Sequence, residues 1–518
     1  MMSIRTVVVW SSVFVASIAS LTRDRASSGC AARCRTIPSD SAWPETSVWA
    51  QLNETVGGKL IQTVPIAAVC HKTLNGQDSG LHDEAKCAAL RNVWFFPETH
   101  LVDPASPMSY YFSNNTCNPW LEPDTPCTTG TDAVSEYTGP AVKLGAGVES
   151  LEAYKFADSY GLVVVGGNCP TVAMGGGYIQ GGGHGPLASR HGLAADQVLE
   201  MEVVSPSGET LAASATDNAE LFWALRGGGG GTFGVVTSVT VKAFPDTIGS
   251  TASMMVANNG ANADALYSAI GGWIQKALPG LVDAGAFVSW IAASFGFTVS
   301  PAVAPGLTSA ELDGLMQPMI DVLKAAGLEY TYSSAQHATF LESYQFYQQT
   351  ASWNVSDYTL GGRLIPRDIA LQNTDAVIEA IRHISATAIF SGVSYNVADG
   401  VQFPDDVAVQ PYMRKTLIGV ALGTPLNYTD WSASVAAQDQ VTNDLVPTLE
   451  KLTPNGGAYL NEADFQQPDF QRTLYGDHYK RLLEIKRKYD PKSILYAKTA
   501  VGSEEWGENS DGRLCRVK

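Results

Sequence analysis

The sequence predicts an α+β fold in which a glycine-rich first domain is joined to a second α+β domain built on an antiparallel sheet. Three observations carry this reading. Glycine fills Gly166–Gly234 more densely than regular helices or strands tolerate, in runs at Gly175–Gly177, Gly181–Gly183 and Gly227–Gly231. Strand patterns stand within and after it: Leu199, Met201 and Val203 alternate with Glu200 and Glu202, and VVTSVTVKAF from Val235 is β-branched. After Pro245 the glycine runs stop and helical and strand patterns alternate, so a boundary falls near residue 245 and the second region runs to about 455.

Composition bounds the function. Net charge is −18, from 51 acidic against 33 basic residues with no Lys/Arg run, which excludes nucleic acid as a partner. Arg5, the apolar run Val7–Ile18 and the small residues Ser17 and Ala19 read as a signal peptide over 1–19, so a secreted protein is expected. That run is too short to span a membrane comfortably, and no membrane partner is expected. Eight cysteines suit the oxidising route, with disulfides expected among Cys30, Cys34, Cys70, Cys87, Cys117 and Cys127. Sequons at Asn53, Asn114, Asn354 and Asn427 agree with secretion.

Taken in order, residues 21–131 are rich in Pro, Cys and turns, with a short helix after Asp83, and read as a disulfide-pinned cap within a first domain of 20–245. A strand is expected from Leu162, then the glycine turns, whose successive N–H groups form concavities suited to a dinucleotide pyrophosphate. Pro206, Ser207 and Gly208 turn the chain out of the strand at Leu199–Val203. Asp217 and Glu220 form an expected capping box for a helix over Ala219–Arg226, which Gly227 stops. Gly229, Gly231 and Gly234 fit G-x-G-x-x-G, but here a helix precedes and a strand follows. The nicotinamide fingerprint requires the opposite order, so it is excluded.

In the second region, 246–455, Leu266, Ile270, Trp273 and Ile274 share a helical face. Thr308 and Glu311 open a helix that contains Pro318, a kink by expectation. Ala286–Val299 and Thr416–Leu422 read as strands. The aromatics Trp290, Phe295, Tyr344, Phe346, Tyr347, Trp353 and Tyr358 are candidate pocket walls, with core packing the commoner role for such residues. A last segment, 456–518, contains a helix over Tyr479–Tyr489 that ends before Pro491.

The stretch GGNCPTVAMGGGYIQGGGHGPL, with GPAVKLGAGVESLEAY upstream and YLNEAD and YGDHYKRLLEIKRKYDP downstream, resembles the berberine-bridge-enzyme-like oxidases, most of all their secreted fungal branch. These are FAD flavoproteins of the vanillyl-alcohol-oxidase type, and WPE at Trp43–Glu45 with QLNETVGGKLI at Gln51–Ile61 also matches them. The resemblance implies a first domain that binds FAD, to which the last segment returns, and a second domain that faces the substrate. It implies a flavin link at C6 through Cys169, for which a buried free thiol is the alternative. Cys515 would then be the cysteine left without a partner. Cofactor contacts are implied at Gly167, Thr171, Gly175, Gly176, Gly177, Gly181, Gly182, Gly183, His184, Gly234, Val236 and Asn461. A satisfied buried histidine is the alternative for His184.

One part of the family pattern is missing. Members follow the cysteine–glycine pair seen here as Cys127 and Gly130 with a β-α-β passage whose histidine attaches the flavin 8α methyl. Here CTTG runs almost directly into TDAVSEYTGPAVKLGAG, so the FAD domain is truncated by several dozen residues. A skipped exon and a genuinely shortened protein both account for this, and the loss would leave strand edges unpaired.

Such oxidases move a hydride from substrate to flavin while a base takes a proton and O2 reoxidises the flavin, so the implied partners are a small-molecule substrate and O2. Candidate catalytic residues are Glu462, Tyr459 and Tyr178, with a solvated surface glutamate the alternative for Glu462. Three functions remain open on these residues: oxidation of a small alcohol or secondary metabolite, oxidation of an oligosaccharide, and a non-catalytic secreted scaffold without flavin.

Overall fold

The structure is a computed structural model and describes most of residues 34–100, together with 139–350, 358–398, 406–427, 430–509 and 513–517. The expected signal peptide, Cys30, Cys117, Cys127, the sequons at Asn114 and Asn354, the 127–137 junction, Trp353 and the side chain of Tyr347 lie outside the described residues. The chain divides into two units, one of residues Met1–Pro123, Trp353–Asp357 and Gly502–Lys518, the other of Asp124–Ser352 and Tyr358–Val501.

In the first unit the helix Glu84–Val93 starts where Asp83 accepts a hydrogen bond from the Lys86 N–H at 3.0 Å, which satisfies one free donor of the first turn. Disulfides join Cys70 to Cys87 and Cys34 to Cys515. The expectation that Cys515 lacks a partner is therefore corrected. A short hairpin of Trp506–Glu508 and Leu514–Arg516 carries Cys515 to Cys34 across 481 positions, a pairing made by antiparallel main chain that no local spacing announces.

The second unit holds two sheets. The first contains β1 (Ala141–Gly145), β2 (Leu162–Val164), β3 (Val198–Val204), β4 (Thr210–Ser214) and β5 (Val235–Pro245), in the order β1-β5-β3-β4 with β2 also on β5, all antiparallel. The β-branched run after Gly234 is thus the central strand. Val239 and Val241 of β5 are buried with Met201 and Val203 of β3, Leu144 of β1, the helix Ala219–Leu225, and Leu482 and Ile485 of the helix Tyr479–Tyr489.

The start of Ala219–Leu225 differs from expectation. Its N-cap is Asn218, in the left-handed region at φ 48°, and no side chain caps it. Asp217 instead takes part in a turn with the hydroxyls of Ser214 and Thr216, while Asn218 Nδ2 donates to Ala212 O at 2.8 Å. Local turn hydrogen bonds compete for the carboxylate, and asparagine tolerates the left-handed backbone.

The second sheet has seven strands among the described residues. They are β6 (Gly249–Ala257), β7 (Phe287–Ala293), β8 (Gly296–Pro305), β9 (Thr331–His337), β10 (Gly361–Pro366), β11 (Ile389–Ser394) and β12 (Thr416–Gly423), in the order β9-β6-β8-β7-β11-β12-β10, every pair antiparallel. Helices Ala263–Gly272, Ser309–Ala325 and Thr374–Ser385 bury Leu266, Ile270, Leu312, Met316, Val377 and Ile381 against one face. The capping box of Thr308 and Glu311 forms as expected, and the helix it opens continues through Pro318. The stretch read as one strand from Ala286 is the hairpin of β7 and β8, turned at Ser294 and Phe295, with Gly296 opening β8 at φ 145°.

Candidate functional site

The glycine stretch forms main chain pressed between the first sheet and the segment that follows residue 456. Gly181 shows why no side chain is tolerated there: a Cβ would lie 2.5 Å from the Asn461 amide. Asn461 uses the same amide to donate to Gly177 O at 2.9 Å and to the Tyr459 hydroxyl at 2.8 Å. That hydroxyl also accepts from the Gly183 N–H at 3.2 Å. Its own proton has no acceptor among the described residues. Burial and then the nearby charge of Glu462 hold this phenol above its usual range, so the proton stays on.

Glu462 closes the short turn Leu460–Glu462. Its carbonyl packs on β10, where a Cβ at Gly362 would lie 2.5 Å from it. Its Oε1 is 2.9 Å from His184 Nε2, with the side chains 26% and 9% exposed respectively. Against an ionised carboxylate Nε2–H is the donor, which leaves Nδ1 turned the other way. The imidazole stacks on Tyr395 at 5.3 Å and on Phe287 at 6.0 Å, and tilts against Tyr459 at 4.8 Å. Packing on three sides fixes the ring plane and with it the direction of the bond to Glu462.

The described contacts therefore bring together Gly177, Gly181, Gly183, His184, Tyr459, Asn461 and Glu462. Tyr178 joins through its ring, which lies within 2.9 Å of a Cβ built at Gly183 and 3.4 Å of one built at Gly167. Gly175 is tied in by Gln180, whose Nε2 donates to Gly175 O at 2.9 Å, and Gly182 backs onto Val409 and Met413. Cys169 is a free, half-buried thiol, pushed up to about 12 by burial first and by the charge of Glu462 second. Thr171 is half-buried in the turn after it. Gly234 and Val236 stand at the start of β5, where Gly234 packs on Val203 and Val236 pairs with it.

Most aromatics read as pocket walls lie elsewhere. Trp290 faces the helix-covered core, Tyr344 is buried with its hydroxyl donating to Asn168 O at 3.0 Å, and Phe295 and Phe346 are exposed. Phe287 and Tyr395 take the place beside His184 and were not anticipated. On a strand apolar on both faces, periodicity does not say which face meets the site.

A flavin fits these residues on two counts. A Cβ at Gly176 or Gly177 would meet one atom near the 4 Å limit and one at Gly231 would meet none, so flat bare main chain is presented there. Three buried polar atoms, the Tyr178 hydroxyl, Gln180 Oε1 and His184 Nδ1, have no partner among the described residues. Such groups call for an occupant that supplies the missing hydrogen bonds.

Comparison with known proteins agrees. Residues 132–214 match the family model "FAD binding domain" and residues 458–502 match "Berberine and berberine like". The chain is 36% identical to the FAD-linked oxidoreductase sor8 of Hypocrea jecorina, over 95% of this chain and 94% of that protein. It is 34% identical to the VAO-type flavoprotein oxidase VAO615 of Thermothelomyces thermophilus, over 93% and 95%. The crystal structure of the VAO-type flavoprotein MtVAO615 from Myceliophthora thermophila superposes with TM-score 0.84 at 32% identity, covering 94% of this chain and all of that one. The alignment with sor8 runs over 554 positions, more than the 518 residues of this chain, and so opens gaps on this chain's side.

Proposed function

Because the chain belongs to the berberine and berberine-like FAD-linked oxidoreductases of the vanillyl-alcohol-oxidase type, we propose that it oxidises a small alcohol or secondary metabolite, with Glu462 as the base. When bound, FAD supplies the hydride acceptor and passes the electrons on to O2. The observation that carries the reading is the Glu462–His184 pair beside bare glycine main chain. Glu462 is open enough to reach a substrate hydroxyl and held in one direction by a buried imidazole. Its carboxylate takes the proton as the C–H bond breaks, and the His184 N–H holds it in place before and after. The Tyr459 hydroxyl, fed by two donors, presents its proton to the same space.

The cofactor lies along Gly175–Gly177 and Gly181–Gly183 in this reading, with Cys169 as the attachment point, and Asn461 ties the two sides of the cradle together. The gaps in the alignment are assigned to the 127–137 junction, which removes the passage that holds the second attachment residue in relatives. The disulfides suit an extracellular site of action, and no helix among the described residues is long and apolar enough to cross a membrane. Anaerobic mixing with a panel of primary alcohols tests the assignment. Bleaching of the flavin and, on admitting air, release of hydrogen peroxide are expected. A flavin that oligosaccharides bleach and no alcohol in the panel does would favour the oligosaccharide oxidase, and protein that holds no flavin would favour the non-catalytic scaffold.

A further inference from the structure

The second sheet carries a line of residues in mutual register across all seven strands: Thr331, Met255, Thr298, Ile291, Ser391, Ala421 and Gly362. Each of the inner ones alternates with residues buried under the helices, such as Met254, Phe297, Trp290, Phe390 and Val420. The line therefore runs along the opposite face. Exposure falls along it. Met255 is 48% exposed, Thr298, Ile291, Ser391 and Ala421 are half-buried, and Gly362 is covered by the Glu462 carbonyl. Five strand spacings separate Met255 from Gly362, roughly 24 Å. The neighbouring row on the same face holds Ser253, Ser289, Val393, Gly419 and Leu364, small or aliphatic residues, and is interrupted on β8 by the bulge between Val299 and Ala302.

Three properties define what can lie on this floor. Neither row holds an ionisable side chain, so a charged ligand would lose its hydration without an ion pair in return. Neither holds an aromatic ring, an amide or a guanidinium, the groups that meet the hydroxyls and faces of a sugar, and the rings that adjoin the floor, Phe287 and Tyr395, are stacked on His184. Thr298 spends its hydroxyl on Met254 O at 3.0 Å, which leaves Thr331, Ser253, Ser289 and Ser391 as hydroxyls with no partner among the described residues. Thr331 and Ser253 stand on β9 and β6, the strands farthest from Gly362, and Ser289 and Ser391 on β7 and β11 nearer to it. Four single hydroxyls spread over as many strands, only two of them near the reacting end, cannot satisfy the polar groups of a trisaccharide, and each one left unmet costs about 1–3 kcal/mol.

Resting on the flavin reading above, we propose that this floor binds an uncharged, flat, mainly apolar molecule, wider than a simple alcohol. It lies across the strands with its reacting carbon at the Gly362–Glu462 end, and oligosaccharides are rejected. Ser289 and Ser391 fix its register through one or two polar substituents, and Ile291 sets its width.

The test is calorimetric titration of the full-length protein with naphthalene-2-methanol, anthracene-9-methanol and maltotriose, which reads binding whether or not flavin reacts. Naphthalene-2-methanol is expected to bind at least tenfold more tightly than maltotriose. Ser391→Trp, which fills the floor, should weaken it a further tenfold or more. Ile291→Ala, a milder change that widens the floor, should raise affinity for anthracene-9-methanol relative to naphthalene-2-methanol several-fold. Tighter binding of maltotriose, or affinities unmoved by both substitutions, overturns the proposal. Failure of Glu462→Gln to slow flavin bleaching would strike the base assignment alone and leave this binding order in place.

Discussion

Glu462 Oε1 and His184 Nε2 stand 2.9 Å apart although 278 positions separate them, and the imidazole is held by Tyr395, Phe287 and Tyr459. The chain thus fixes the direction of one carboxylate with residues from the glycine stretch, two strand ends and the turn after residue 458. Replacing Glu462 with Gln keeps the shape and removes the base. Substrate-driven bleaching of the flavin is expected to slow about a hundredfold or more, with flavin content unchanged. Stopped-flow absorbance measures it, and an unaltered rate would remove Glu462 from the chemistry.

Tyr459→Phe deletes the acceptor shared by the Gly183 N–H and the Asn461 amide. A buried donor left unmet costs about 1–3 kcal/mol. The urea midpoint of the variant should fall accordingly while its slope stays the same. An unchanged midpoint would mean that the glycine turn does not lean on this hydroxyl.

How much of this was legible in the sequence follows from which forces are local. The helix Tyr479–Tyr489, the box of Thr308 and Glu311 and the central strand after Gly234 are written in short-range periodicity and capping, and each stands where expected. Asn218 displaced Asp217 as the cap because turn hydrogen bonds, not spacing, decide that end. Cys34 with Cys515, and Phe287 with Tyr395, are meetings of distant segments. Trp290 and Ile291 are adjacent, both apolar, and face opposite sides of one strand. Only strand order and the helices above say which side meets the site.

Cys169 should behave as a buried thiol in flavin-free protein. Its proton is held up to about 12, against roughly 8.5 for a free cysteine. Alkylation by iodoacetamide at pH 8 is expected to be more than about a hundredfold slower in native protein than in urea, since only the thiolate reacts. Mass spectrometry of the peptide containing Cys169 gives the rate. Equal rates would place the thiol in solvent.

His191 stacks flat on Phe244 at 3.9 Å, and burial, then Arg190, depresses it from 6.5 to about 4. The unfolded chain therefore binds the proton more readily. The contribution of this pair is full above pH 6.5 and is lost as pH falls from there toward 4. Thermal melts across that window should decline less steeply for His191→Phe than for the parent, and parallel curves would show that His191 stays out of the linkage.

The most direct measurement is the visible absorbance of purified full-length protein, before and after acid precipitation. Flavin bands in the native sample are expected, with colour that stays in the precipitate and is released by Cys169→Ser. A colourless protein that takes up no added FAD would contradict the account.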